Sequence, residues 1–347
     1  MAYTPIDKSD DYFNTVLWTG NATDNRSITG VNFKPDLVWY KERSSTSWHN
    51  LQDVVRGTGK QIHSNSTDSE TTNNGTIKAF ETDGFQIGTE ADINESGQTY
   101  VAWNWLASNT TASNTDGSIT STVSANTTSG FSIVGYTGNA TTGATIGHGL
   151  GVTPDVIIAK SRASADNWGF FHSSFSSQQY MFLNTTAAKA SASSVWNALP
   201  GSSVFTVGDN ASVNDNGNMI AYCFAEKKGF SKFGSYTGNG NADGTFVYTG
   251  FKPAFVIMKR TDTTGNWLLF DNNRSSSGGS NLIQQYLYPN LNDAEDSDAT
   301  RGIDFLSNGF KQRNDFSAIN ASGGSYIYMA FAEQPLVGTN NIPATAR

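Results

Sequence analysis

Apolar residues fall in short runs along this chain, separated by clusters of Gly, Asn, Ser and Thr. One kind of run alternates: Phe131-Ser132-Ile133-Val134-Gly135-Tyr136 has the period of two of a half-buried strand. A second kind is continuous. Leu37-Val38-Trp39-Tyr40, Val156-Ile157-Ile158-Ala159 and Phe255-Val256-Ile257-Met258 each follow a proline, Pro35, Pro154 or Pro253. Such runs suit strands buried on both faces or bridging two layers, with the proline at the first position, where a missing N–H costs little. No stretch carries a helical stripe with caps; residues 184–199 and 282–287 come nearest. The pattern predicts an all-β chain.

The runs recur in order. Leu17-Trp18-Thr19-Gly20-Asn21 returns as Gly135-Tyr136-Thr137-Gly138-Asn139 and as Ser235-Tyr236-Thr237-Gly238-Asn239, with Phe13, Phe131 and Phe230 upstream. The Thr-Gly-Asn triplets predict turns, with Gly or Asn taking positive φ. Each proline run ends on a lysine six residues after the proline: Lys41, Lys160 and Lys259. Trp48, Trp168 and Trp267 follow. Each unit closes on an aromatic strand, Tyr100–Trp105, Met219–Phe224 or Tyr326–Phe331. A fixed order of landmarks in three stretches predicts three tandem, related β-sandwich modules, at 1–112, 113–229 and 230–347 with a C-terminal tail. Residues 107–130, almost without bulky side chains, read as a tether or an exposed hairpin, whereas the second and third units abut at Lys227-Lys228-Gly229.

Composition narrows the function. With 22 Lys and Arg against 30 Asp and Glu, the net charge of −8 argues against a nucleic-acid partner, which needs cations to displace counterions from phosphates. A single cysteine, Cys223, excludes an intrachain disulfide framework and any CxxC zinc site. No apolar run reaches the ~18 residues of a membrane helix, so no membrane insertion is expected, and the opening residues do not read as a secretory signal.

Candidate chemistry is sparse. The four histidines, His49, His63, His148 and His172, show no metal or catalytic spacing and are expected at the surface or in caps. No catalytic residue, metal or cofactor is predicted. Asp53 and Arg56 follow Trp48 with the spacing at which Asp271 and Arg274 follow Trp267, while the second unit carries His172-Ser173-Ser174-Phe175. Such a pair either organises a turn or forms a polar spot beside an exposed tryptophan. Recurrence of Trp48, Trp168 and Trp267 favours a shared core; stacking on sugar rings is the alternative. Trp196 has no counterpart and is expected in a variable loop. These eight residues form the candidate ligand or assembly surface. The acidic run 292–298 reads as a solvated loop, with cation binding as the alternative.

The opening Tyr3–Asn21, the segments Phe33–Trp39 and Thr99–Trp105, and the ending Tyr328–Pro335 with Ile342–Arg347 together resemble repeat-bearing virion structural proteins of marine tailed bacteriophages. The resemblance spans nearly the whole chain. It implies lectin-like or jelly-roll-like sandwiches without a catalytic motif, in a virion component assembled in the host cytoplasm. A tail or tail-fibre protein mediating attachment or assembly is the expectation, with a capsid decoration protein or a carbohydrate-binding adhesin as alternatives. Other virion proteins, further copies of the chain in a trimer or ring, and a host surface glycan are the partners implied.

Overall fold

The computed structural model describes residues 4–275 and 281–338. It is almost entirely antiparallel β. One strand order occurs in each of three stretches. An opening strand (Phe13–Thr19, Phe131–Thr137, Ser231–Thr237) pairs with a closing strand (Thr99–Trp105, Asn218–Phe224, Ser325–Pro335). The closing strand pairs with a central strand (Leu37–Glu42, Val156–Ser161, Phe251–Arg260), and that with a return strand (His49–Asp53, Gly169–His172, Leu268–Asp271). Each of these larger sheets is covered by a small one, built on Gly84–Ile87, Val204–Val207 or Gly309–Gln312. The low-complexity stretch 107–130 is a hairpin, Ala112–Asn114 with Ser121–Asn126, added to the second large sheet. The regions nearest to a helical pattern are strands, turns and extended chain, including Trp196–Ala198 and Leu282–Ile283.

The central strands explain the continuous apolar runs. Leu37–Glu42 and Val156–Ser161 are buried at every residue. In the first repeat Val38 and Tyr40 face the small sheet, while Leu37 and Trp39 face a core shared by all three repeats. Pro35 and Pro154 precede their strands; Pro253 instead lies inside Phe251–Arg260 at a bulge, where the ladder is already interrupted.

The three modules pack on one shared core. Trp105, Phe224 and Phe331 occupy one register position, opposite Phe13, Phe131 and Ser231. Their rings form a triangle with centroids 6.2, 5.9 and 5.6 Å apart. The repeats therefore close around an aromatic centre as a ring, first to second, second to third and third to first.

The Thr-Gly-Asn turns have a physical explanation in a short helix at the end of each repeat (Ala91–Asn94, Ala211–Asn214, Ser317–Asn320). Its last residue is a buried asparagine whose Oδ1 accepts from the backbone N–H of Asn21, Asn139 or Asn239. The aromatic two residues before the glycine donates to the helix: Trp18 Nε1 to Ile93 O, Tyr136 OH to Val213 O, and Tyr236 OH to Ile319 O. Gly20, Gly138 and Gly238 are not among the positive-φ residues. They are needed for close approach, since a Cβ would come within 2.0 to 2.4 Å of the carbonyl oxygens of Glu95, Asp215 and Ala321.

Candidate functional site: the junctions between repeats

The recurring polar residues converge where one repeat meets the next. Two backbone hydrogen bonds mark each junction. Glu70 N, Lys189 N and Glu295 N donate to the carbonyls of Arg162, Thr261 and Arg43, at 3.0, 2.9 and 2.8 Å. Asp166 N, Gly265 N and Ser47 N donate to Thr67, Thr186 and Asn292. These bonds are cyclic equivalents, so they define which side chains correspond.

At the first–second junction the Asp53 and Arg56 side chains are fully buried. Asp53 Oδ1 accepts from the backbone N–H of Val55 and Arg56, and its Oδ2 accepts from Arg56 Nε and from Tyr222 OH at 2.8 Å, across the junction. Arg56 also donates to the carbonyls of Leu51 and Lys60. Glu70 lies 3.4 Å from Arg56 and takes a bidentate pair from Arg162 of the second repeat, at 2.8 and 2.9 Å. The third–first junction repeats this wiring. Asp271 binds Arg274 and accepts from Trp103 Nε1 at 2.9 Å, and Glu295 bridges Arg274 to Arg43 of the first repeat. Burial works against the charge on both Arg56 and Arg274, but the attraction of Asp53 and Asp271 outweighs it and holds both above the usual range. For Glu295, burial is likewise overcome by Arg43 and Arg274, which keep the carboxylate below its ordinary value.

The second–third junction holds none of these charges in the same places. His172 stands for Asp53 and Asp271, Phe175 for the two arginines, Lys189 for the two glutamates, and Thr261 for Arg43 and Arg162. His172 Nδ1 accepts from Ser174 N, and its Nε2 lies 3.2 Å from the Tyr328 carbonyl of the third repeat. Lys189 sits 5.5 Å from the centroid of the Phe175 ring. The partner strand explains the exchange. Opposite Asp53 and Asp271 stand the donors Tyr222 and Trp103, whereas Met329 holds that register in the third repeat and donates nothing. Burial pushes the His172 imidazole down to about 4, and the bond to Tyr328 opposes this only in part.

Of the candidate surface residues, Trp168, Trp267 and Trp196 are buried along with both Asp/Arg pairs, so no solute reaches them. Trp168 and Trp267 each reach back one repeat, donating Nε1 to His63 O and Phe182 O. In the first repeat the equivalent residue is His49, not Trp48, because Lys41 pairs with His49 as Met258 and Ala159 pair with Leu268 and Gly169 one step earlier. His49 is buried, and its Nε2 faces the Tyr288 carbonyl outside hydrogen-bond geometry. Trp48 is 37% exposed and stacks on the His63 ring at 5.0 Å. Trp196 is not in a loop. It takes the small-sheet core position held elsewhere by Ile77 and Ile303, packed edge-on against Phe171 and Phe205. His49, His148 and His172 are buried, contrary to a surface placement, although His148 and His172 do cap the turns that follow them. The acidic run is a strap across the third–first junction: the half-buried Glu295 sits between two arginines, and Asp296 and Asp298 lie beside Arg301.

The recurring lysines have one structural role in all three repeats. Lys41, Lys160 and Lys259 are buried, and each donates to the carbonyl of the next residue; Lys41 and Lys160 also reach Ser45 O and Ser164 O. Burial pulls each down to about 8. Among the described residues no group of three His, Cys, Asp or Glu is placed to hold a metal, and no helix is long and apolar enough to cross a membrane. No curated protein and no solved structure matches the chain. One family model matches residues 8–335, taking in all three repeats, and the chain belongs to that family, described as a domain of unknown function (DUF7483).

Proposed function

We propose that the protein is a non-enzymatic structural component of a bacteriophage particle, exposed on the tail or a tail fibre, where it mediates host attachment or assembly. The observation that carries this reading is the use made of the recurring polar residues. Asp53, Arg56, Asp271, Arg274, Glu70 and Glu295 are spent on holding repeats to one another, as in a scaffold. A ring of three related repeats in one chain has the quasi-threefold outline of a trimer and fits a symmetric position in a closed assembly. The trimer or ring expected between chains is in this reading already built within one. The resemblance of Tyr3–Asn21 and Tyr328–Pro335 to virion proteins supplies the particle.

Mass spectrometry of purified particles, followed by antibody labelling in electron micrographs, tests the reading. Label at the tail or its fibres is the expected result. Label over the capsid surface would replace the tail with the decoration role, and absence from the particles would overturn the proposal.

A further inference from the structure

The third–first junction contains a cleft of about 350 Å³ whose walls differ from the equivalent places of the other two junctions. The ring supplies the comparison. Thr15 lines the cleft at the register position held by Ile133 in the second repeat and Phe233 in the third. Asn272 and Asn273 line it where the first–second junction has Val54 and Val55. There Val55 packs so tightly that its Cγ1 lies 2.9 Å from where a Cβ on Gly135 would sit. Ala254 stands in the cleft wall where Asp36 and Asp155 stand in the other repeats. At the second–third junction a Lys232–Glu226 ion pair, at 2.7 Å, occupies the corresponding place. The cleft walls thus differ in size or polarity at several positions, with Thr15 both smaller and more polar than Ile133 and Phe233.

The lining is organised. Asn273 Nδ2 donates to Thr15 O, and Asn272 Nδ2 and Lys252 Nζ both donate to Glu333, which fixes the wall. Ser9 and Thr15 line the cleft although their own hydroxyls are enclosed and have no hydrogen-bond partner, so the open polar groups are those of Asp10, Asn14, Asn272, Asn273 and Gln334. The remaining surface mixes amide and carboxylate groups with the apolar residues Ala254, Ala332 and Phe13. Its volume lies within the range of ligand sites.

We propose that this cleft binds a neutral saccharide unit. A sugar ring offers hydroxyl pairs that donate to carboxylates and accept from amides, together with a C–H face for the apolar residues. Glu333 is paired with Lys252 at 3.0 Å and Lys8 with Asp11 at 2.9 Å, which leaves the cleft without an unpaired cation shown to hold a sugar carboxylate, so uronic or sialic acids are disfavoured. The inference takes the attachment arm of the proposed function a step further and rests on it only for its biological meaning. Loss of sugar binding with the protein still found on tails would sink the cleft and leave the particle role standing.

The test is saturation-transfer NMR and calorimetry on the full chain with neutral hexoses and disaccharides, and with acidic sugars alongside. The expected result is saturable binding of a neutral sugar that falls at least tenfold in Thr15→Ile combined with Asn273→Val, which install the residues of the first–second junction. Should that variant fold poorly, Gln334→Ala at the half-buried rim is expected to weaken binding severalfold with unfolding unchanged. No saturable neutral-sugar binding, binding indifferent to all these substitutions, or tighter binding of acidic sugars would overturn the proposal.

Discussion

The first–second and second–third junctions sit at equivalent places in the ring, carry equivalent backbone hydrogen bonds and are made of different side chains. One buries Asp53 and Arg56 beneath a half-buried Glu70–Arg162 pair; the other buries His172, Phe175 and Thr261 beside Lys189. The members change together because a buried charge is tolerable only with its partners present. Keeping Arg56 while losing Asp53 would strand a guanidinium away from water. Where Met329 removes the aromatic donor, no carboxylate remains opposite it either. A junction of this kind is a single chemical unit, all charged or all uncharged at its centre.

That difference yields graded effects. Asp53→Ala or Asp271→Ala removes the fully buried carboxylate and leaves the arginine only Glu70 or Glu295, and a loss of about 3–5 kcal/mol in denaturant unfolding is expected. A loss under about 1 kcal/mol would show that water or other groups reach these arginines. His172→Gln is expected to cost less, about 1–2 kcal/mol, since one neutral hydrogen-bonding group replaces another. If it matched the aspartate variants, the contrast between junctions would fail.

Acid should act on His172 in a definite direction. Its folded-state value of about 4 lies below the ordinary 6.5, so between these limits the unfolded chain binds more protons. Stability from this residue is present above pH 6.5 and lost as pH falls through 4. His49 and His148 act in the same sense, and Asp36, pushed up to about 6 by burial, in the opposite one. The comparison is therefore between the wild type and His172→Gln: the stability gap between them should narrow on acidification from pH 6.5 to 4. A gap independent of pH would mean that His172 takes up protons equally in the folded and the unfolded chain. The smallest effect belongs to Lys189→Met, about 0.5–1 kcal/mol, for the loss of a half-exposed cation over Phe175. A larger loss would mark Lys189 as part of an ion pair.

Much of the fold was legible because it is written in local pattern. Alternating and continuous apolar runs marked the strands, and the recurrence of Thr-Gly-Asn and Pro-x5-Lys marked the repeats. The ring was not legible, since Trp103 meets Asp271 and Asp53 meets Tyr222 across more than 160 residues with no local trace. Spacing alone misaligned Trp48 with Trp168, because a one-residue shift in a strand exchanges its faces and only the pairing partner fixes register. Trp196 looked unique as a tryptophan; its position is a core site that isoleucine fills elsewhere. The Asp/Arg spacing did identify a working unit, but Glu70, Glu295, Arg43 and Arg162, which complete it, come from other loops and another repeat.

Amide hydrogen exchange at three equivalent positions tests the ring and its unequal junctions most directly. Glu70 N–H, Lys189 N–H and Glu295 N–H each donate to a carbonyl across one junction. All three should be protected in the native chain, with Lys189 opening at the lowest free energy because no buried ion pair closes over it. Equal protection at the three amides, or slowest exchange at Lys189, would contradict the account.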